Sequence, residues 1–262
     1  MRYPLKSTAG WSVEAAELSQ RGLLDDRRWM VVDEVGEFVT ARRHGALLTV
    51  QAEPRSAGEL VLRCAGLADD VTAAPSFESS SIKVRVWGDR CQALDMGDQA
   101  AQWISQVVGR SCRVVYMPDE TKRPVSGAAA TPGDIVSFAD GYPVLLTLQE
   151  SLDALNEGLD EPVAMACFRP NVVVSGLEAF SEHSWSSVRI GELDFTVAGP
   201  CVRCQMTTRD QRTGRRRRDG EPLKTLAQTR RTDDGVIFGI NLIPRATGTL
   251  RLGDRVTPTL LS

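Results

Sequence analysis

The chain has 262 residues, is 42% hydrophobic and 25% charged, and carries a net charge of −3. That balance is ordinary for a globular protein and argues against disorder, and the small negative charge gives no global attraction to nucleic acid. No apolar stretch approaches the about 18 residues of a membrane span. The start, Met1-Arg2-Tyr3-Pro4-Leu5-Lys6, lacks the apolar core of a secretion signal. A cytoplasmic location without membrane association is therefore expected, and the six cysteines, at 64, 91, 112, 167, 201 and 204, are expected to be reduced thiols.

The N-terminal third reads as β. Residues 29–32 and 37–40 are short apolar runs around Asp33-Glu34-Val35-Gly36, a hairpin signature. Residues 47–52 and 60–64 follow as strands, separated by Pro54 and Gly58. Ile82, Val84 and Val86 alternate with Lys83 and Arg85, as in a half-buried strand. This spacing predicts a small barrel or sandwich. A helix follows, capped by Asp98 and ended by Gly109, with Ala101, Ile104 and Val108 on one face. Residues 117–133, rich in Pro, Gly, Ser and Ala, read as a loop or linker.

In the second part, Thr147-x-x-Glu150 has the form of a capping box, and Leu148, Leu152, Leu155 and Leu159 form an apolar stripe behind it. Residues 171–175 suit a buried strand. Leu193, Phe195 and Val197 alternate with Asp194 and Thr196 and lead to Cys201-Val202-Arg203-Cys204. Residues 222–229 suit a short helix, and residues 250–256 a last strand and turn. The chain divides into an N-terminal β-barrel-like domain (1–116), the linker (117–133) and a second domain (134–262). The fold class is mostly β with a few helices, α+β.

The cysteine pair is the strongest chemical signal. A redox Cys-x-x-Cys normally opens a helix, whose dipole lowers the thiol pKa, whereas here a strand pattern precedes it. A structural zinc needs four ligands, and no second Cys/His pair has suitable spacing; His44 and His183 stand alone. A thiolate also suits a soft or redox-active transition metal. Cys64, Cys91, Cys112 and Cys167 have no motif around them and read as small buried residues. The run of arginines at 215–218 lies between Gly214 and Asp219-Gly220 and reads first as a solvated turn, second as a docking patch for an acidic partner.

Phe168-Arg169-Pro170-Asn171, then Cys201-Val202-Arg203-Cys204 and Thr207-Thr208, form an ordered set. Upstream stand Tyr3-Pro4-Leu5-Lys6-Ser7, Asp26-Arg27-Arg28-Trp29, Thr40-Ala41-Arg42 and Asp140-Gly141-Tyr142-Pro143. Together they resemble the MOSC family, named for the C-terminal domain of molybdenum cofactor sulfurase, and within it the amidoxime-reducing branch and its bacterial relatives. The resemblance covers nearly the whole chain. It implies a MOSC N-terminal β-barrel, a β-barrel MOSC domain and a molybdenum cofactor, molybdenum on molybdopterin.

On this resemblance Cys204 is the metal ligand and catalytic residue, while Cys201 does not bind the metal. Lys6, Ser7, Arg27, Arg169 and Asn171 match cofactor-contacting positions, and Gly141 and Tyr142 match positions near the cofactor; Arg42 is assigned no contact. The guanidinium of Arg169 suits a phosphate held by paired hydrogen bonds. The implied activity is reduction of N-hydroxylated compounds (amidoximes, hydroxylamines and N-hydroxylated bases) with two electrons from an external flavoprotein, ferredoxin or haem protein. No C-terminal ferredoxin-like domain, membrane anchor or desulfurase domain of the kind some relatives carry is expected, which leaves the donor open. Two other readings stay open: a carrier of the cofactor without turnover, and a sulfur carrier using a Cys204 persulfide.

Overall fold

The computed structural model describes residues 1–67, 69–77 and 81–261. Strands dominate, with three short α-helices among the described residues. In the first half, Trp29–Val32, Arg113–Tyr116, Asp89–Asp95 and Ile82–Val86 form an antiparallel four-stranded sheet in that order. Val50–Pro54, Leu60–Cys64 and Val71–Ala73 form a second sheet. Side chains alternate across a strand, and in Trp29–Val32 both faces are covered. Trp29 and Val31 join Leu47, Leu60 and Ile104 in one core, while Met30 and Val32 join Val84, Val115 and Phe138 in another.

The second half is built on a seven-stranded sheet. Its main path runs Val172–Val174, Val144–Leu148, Gly235–Pro244, Leu193–Val202, Trp185–Ile190, Val256–Leu260. Only the pairing of Val144–Leu148 with Val172–Val174 is parallel among the described pairs of this sheet. These are two barrel-like units of mostly β structure, as expected. They are not separate in space. The strand Ala15–Ser19 pairs antiparallel with Gly248–Arg251. Ala16, Leu18 and Leu23 pack with Leu146, Trp185 and Phe195 in the core of the second unit. Nothing in the sequence pattern marks residues 15–23 as a strand region.

Several local expectations change. Residues 47–52 are not one strand: Gly45–Thr49 is a 3-10 turn and the strand begins at Val50. Leu47 and Leu48 are both buried, and the tight turn sends two successive side chains into one core, which a strand does not. The Asp33–Gly36 turn forms, with Asp33 Oδ1 accepting the N–H groups of Val35 and Glu37 and Gly36 at φ +80. Residues 37–40 form isolated bridges rather than a regular strand: Phe38 bridges Val32 and Val39 donates to the carbonyl of Val31, while Glu37 bridges Arg85 and Phe38 donates to the Arg85 carbonyl on the other side.

Asp98 does not cap its helix. Gly97 is the cap and the Asp98 carboxylate pairs with Arg113. Gly109 ends the helix at φ +79, as expected. The capping box does not form, because Thr147 lies inside the strand Val144–Leu148 and its hydroxyl meets Met165 Sδ. Glu150 accepts the N–H of Gly176 instead. Residues 171–175 form an edge strand, Val172–Val174, whose central Val173 is 40% exposed. The helix Leu223–Thr229 is where the pattern put it.

Within 117–133, Arg123–Pro124 pairs with Ile135–Val136. Arg123 is 3% exposed. Its guanidinium donates to the carbonyls of Ser137 (2.9 Å), Ala139 (2.6 Å) and Asp140 (2.9 Å) and to Asp89 Oδ2 (2.7 Å). One side chain therefore shapes the 137–140 loop. Arg123→Met should leave three carbonyls and Asp89 unpaired, lowering stability by about 3 kcal/mol in denaturant titration. Unchanged stability would show that water replaces the arginine without penalty.

Candidate functional site

A cleft of about 530 Å³ opens where the two units meet. Lys6, Ser7, Arg27, Gly141, Tyr142, Arg169, Asn171 and Cys204 all line it. The structure thus brings together in one place every residue expected at a metal or cofactor position. Ser7, Arg27 and Arg169 have positive φ, at 73, 49 and 57. Backbone strain of this kind persists only where surrounding structure imposes it, and it concentrates at functional sites.

Cys204 comes off the strand Leu193–Val202, whose register slips between Val197 and Gly199 and again between Pro200 and Val202. Such bulges bend a strand and re-aim the residues beyond them. The 3-10 turn Gln205–Thr208 comes next. The carbonyl of Cys204 accepts both the N–H (3.1 Å) and the hydroxyl (3.0 Å) of Thr207. The first threonine of the Thr207-Thr208 pair therefore fixes the backbone of the cysteine before it. All six cysteines are free thiols. Cys112 and Cys167 are buried, and burial pushes Cys167 up to about 12. Cys64 and Cys91 are only half-buried, at core edges.

The two sulfurs of the motif have different arginines. Arg203 Nη1 donates to Cys201 Sγ at 2.9 Å, while its Nη2 donates to the carbonyl of Phe168 at 2.6 Å. Arg42 Nε donates to Cys204 Sγ at 3.1 Å, and its Nη2 to Asp140 Oδ2 at 2.9 Å. The sequence pattern gave Arg42 no contact. Its one signal was the Thr40-Ala41-Arg42 tripeptide, because the partner sulfur is 162 positions away.

The cradle residues are largely committed to one another. Arg27 Nη1 donates to Asn171 Oδ1 (3.0 Å) and to Asp26, and its Nη2 donates to the carbonyl of Arg169 (3.1 Å). Asn171 Oδ1 also accepts the N–H of Leu145 at 3.1 Å. Lys6 Nζ donates to the Phe138 carbonyl (2.7 Å) and Asp140 Oδ1 (2.6 Å). Arg169 Nη1 donates to the Thr8 carbonyl at 2.7 Å, and its guanidinium lies 4.2 Å from the Tyr3 ring centroid. Arg169 Nη2 and Arg203 Nε are buried without a hydrogen-bond partner among the described residues.

Lys6, Arg27, Arg42, Arg169 and Arg203 line the cleft against two carboxylates, Asp140 and Asp234. The excess of cations favours an anionic occupant. Burial lowers the Lys6 ammonium below its usual range, opposed by Asp140. Burial also brings Arg169 down to about 10. Desolvation raises the Asp140 carboxyl, but Lys6 and Arg42 outweigh it and hold the group well below the usual carboxylate range. Asp140 is thus ionised and accepts only.

The four arginines of the run differ in their surroundings. Arg217 pairs with Asp219 (2.7 Å) and Glu161 (3.4 Å), while Arg215, Arg216 and Arg218 are exposed. Arg209 anchors this loop near the cleft, donating to the carbonyls of Gly214 and Arg42, both at 2.8 Å. Gly45 and Gly214 are in contact beneath it. A Cβ at Gly45 would lie 2.1 Å from the Gly214 carbonyl oxygen. No described helix is long and apolar enough to cross a membrane.

The MOSC N-terminal beta barrel domain matches residues 1–111, and the MOSC domain matches residues 133–257. Mitochondrial amidoxime-reducing component 1 of Mus musculus is 35% identical, over 97% of this chain and 79% of that protein. Its Danio rerio counterpart is 36% identical, over 97% of this chain and 82% of that protein. Molybdenum cofactor sulfurase of Oryza sativa subsp. japonica is 32% identical over 92% of this chain, but this covers only 31% of that longer protein. The chain therefore belongs to the MOSC family, with a MOSC N-terminal beta barrel domain followed by a MOSC domain.

Proposed function

We propose that this chain is a molybdenum-cofactor-dependent oxidoreductase that reduces N-hydroxylated compounds with electrons from a separate donor protein. The observation that carries the reading is one cleft holding a half-buried thiol and a buried arginine N–H, Arg169 Nη2, that has no protein partner among the described residues. An unpaired buried donor is costly, and an anionic ligand atom satisfies it. Among the described residues no group of three or more His, Cys, Asp and Glu side chains can hold a metal. A metal at Cys204 thus needs further ligands from its own cofactor, as a pterin dithiolene provides. The cleft volume of about 530 Å³ lies within the usual range for cofactor sites. The names of the relatives point the same way, to amidoxime reduction and to the molybdenum cofactor.

When bound, the cofactor supplies two-electron redox chemistry. The protein supplies binding and orientation. Cys204 gives the metal one thiolate, and Arg42 holds that sulfur in place through its Nε. Arg169 and Lys6 hold the anionic end of the pterin, Lys6 with the third N–H that its two hydrogen bonds leave over. Arg27 and Asn171 act mainly by keeping Arg169 in its left-handed conformation, through the carbonyl of Arg169 and the shared Asn171 Oδ1. Asp140 shares Arg42 with the sulfur, its side chain is 58% exposed, and as an ionised acceptor it orients an N–H or O–H of the substrate.

Protein from a host that makes the cofactor should contain about one molybdenum per chain, the stoichiometry of a single thiolate ligand site. Cys204→Ser should abolish reduction while Cys201→Ser keeps much of it; the reverse ranking overturns the ligand assignment. Labile sulfur on Cys204 without molybdenum would favour sulfur carriage instead.

Arg169→Ala removes charge-assisted hydrogen bonds of about 1.5–3 kcal/mol each. Cofactor retention should fall by about ten- to a hundredfold in folded protein, read as pterin content after gel filtration. Full retention would make Arg169 a purely structural residue.

The donor is proposed to dock on the exposed arginines beside the cleft. Replacing Arg215, Arg216 and Arg218 with Ser should lower the donor-supported rate by about tenfold and flatten its salt dependence. The rate with a small chemical reductant should not change. Equal loss in both assays would place these residues in support of the site itself.

A further inference from the structure

We propose that Trp87, at the tip of a hairpin in the first unit, is a positioning residue that holds Arg42 against Cys204. This rests on the reading of the cleft as a cofactor site. The strands Ile82–Val86 and Asp89–Asp95 pair with Val86 opposite Asp89, which leaves Trp87-Gly88 as a two-residue loop. Trp87 has φ +56. Two-residue hairpins place their first central residue at positive φ and normally use Gly, Asn or Asp there. A bulky aromatic in that conformation is an outlier held by its surroundings.

Burial does not account for it, since Trp87 is 42% exposed. Its directed contacts do. The Arg42 guanidinium carbon lies 4.2 Å from the Trp87 ring centroid. The indole N–H donates to Asp140 Oδ1 at 3.2 Å. The ring meets Phe38 edge-on at 4.7 Å. Arg42 and Asp140 are paired with each other, and Arg42 Nε is the group that reaches Cys204 Sγ. A guanidinium is planar with donors in a fixed fork. A ring against its face therefore restricts its swing and keeps Nε turned to the sulfur. Asp140 alone does this less well, because its side chain is largely exposed. The plainer alternative is a rim aromatic that only covers Phe38. It does not explain why the polar edge of the indole and its face are both directed to the pair that reaches the cysteine.

The test uses Trp87→Gly, which suits a positive φ and removes the ring, and Trp87→Phe, which keeps a stacking face. Hydrogen exchange at Arg42 Nε–H is read by NMR on the full chain without cofactor, the signal being identified by its loss in Arg42→Lys. Trp87→Gly should speed exchange by about tenfold, and Trp87→Phe should stay close to the parent. Melting temperature should change little in either, because relieved strain in the glycine variant offsets lost packing. In cofactor-loaded protein, Trp87→Gly should keep its molybdenum and its KM but lose about tenfold in kcat, and Trp87→Phe should recover most of it. Slow Nε–H exchange persisting in Trp87→Gly overturns the proposal, as does a phenylalanine variant no better than the glycine one. Absence of molybdenum in the parent would sink the cofactor reading alone, and the exchange measurement would still decide whether Trp87 holds Arg42.

Discussion

The structure of the cleft depends on one carboxylate. Asp140 binds Lys6 and Arg42 from the first unit while its own loop is fixed by Arg123. Like charges at close range repel, so Lys6 and Arg42 need an anion between them to lie side by side. Asp140 provides it and also accepts the Trp87 indole. Its position is imposed from outside, because three carbonyls around it are taken by a single buried guanidinium. A residue from the segment with linker composition thus decides where the central carboxylate stands.

The two units are tied by more than this charge cluster. The strand Ala15–Ser19 completes a sheet with Gly248–Arg251, near the other end of the chain. Arg27 reaches Asn171 and the carbonyl of Arg169 across the cleft. Arg209 holds the backbone of Arg42 from the loop that follows the cysteine motif. Each link joins a first-half residue to a second-half residue, so the cleft geometry is a property of both units together. A ligand bound there touches surfaces that neither unit forms alone.

Most polar groups in the cleft already have protein partners, and this makes the exceptions informative. Asn171 and Arg27 direct their hydrogen bonds to each other, to Asp26 and to the backbone. The buried N–H groups of Arg169 Nη2 and Arg203 Nε have none among the described residues. In a preorganised site the scaffold donors hold the geometry and the unpaired donors meet the ligand. Positive φ at Ser7, Arg27 and Arg169 belongs to the same arrangement: side chains are turned inward at a cost in backbone freedom that the surrounding hydrogen bonds sustain.

The sequence by itself determined the mostly β class, the helices after Gly97 and Pro222, and part of the set of residues that gather in the cleft. Alternation of apolar side chains has a short period, and motif residues keep their local order, so both are visible along the chain. Tertiary structure alone decided the rest. Two successive leucines, Leu47 and Leu48, are buried by a 3-10 turn because one core takes both. Thr147 loses its capping role because its strand runs on through it. Residues 171–175 read as buried, yet Val173 faces outward because side chains alternate across the strand and only the face of Val172 and Val174 meets the core. Arg123 and Trp87 carry no local signature of their roles, and Arg42 only its tripeptide, since their partners lie 14 to 34, 53 and 162 positions away. Sequence patterns record neighbours within a few residues; which distant side chains become neighbours is settled only when the sheets close.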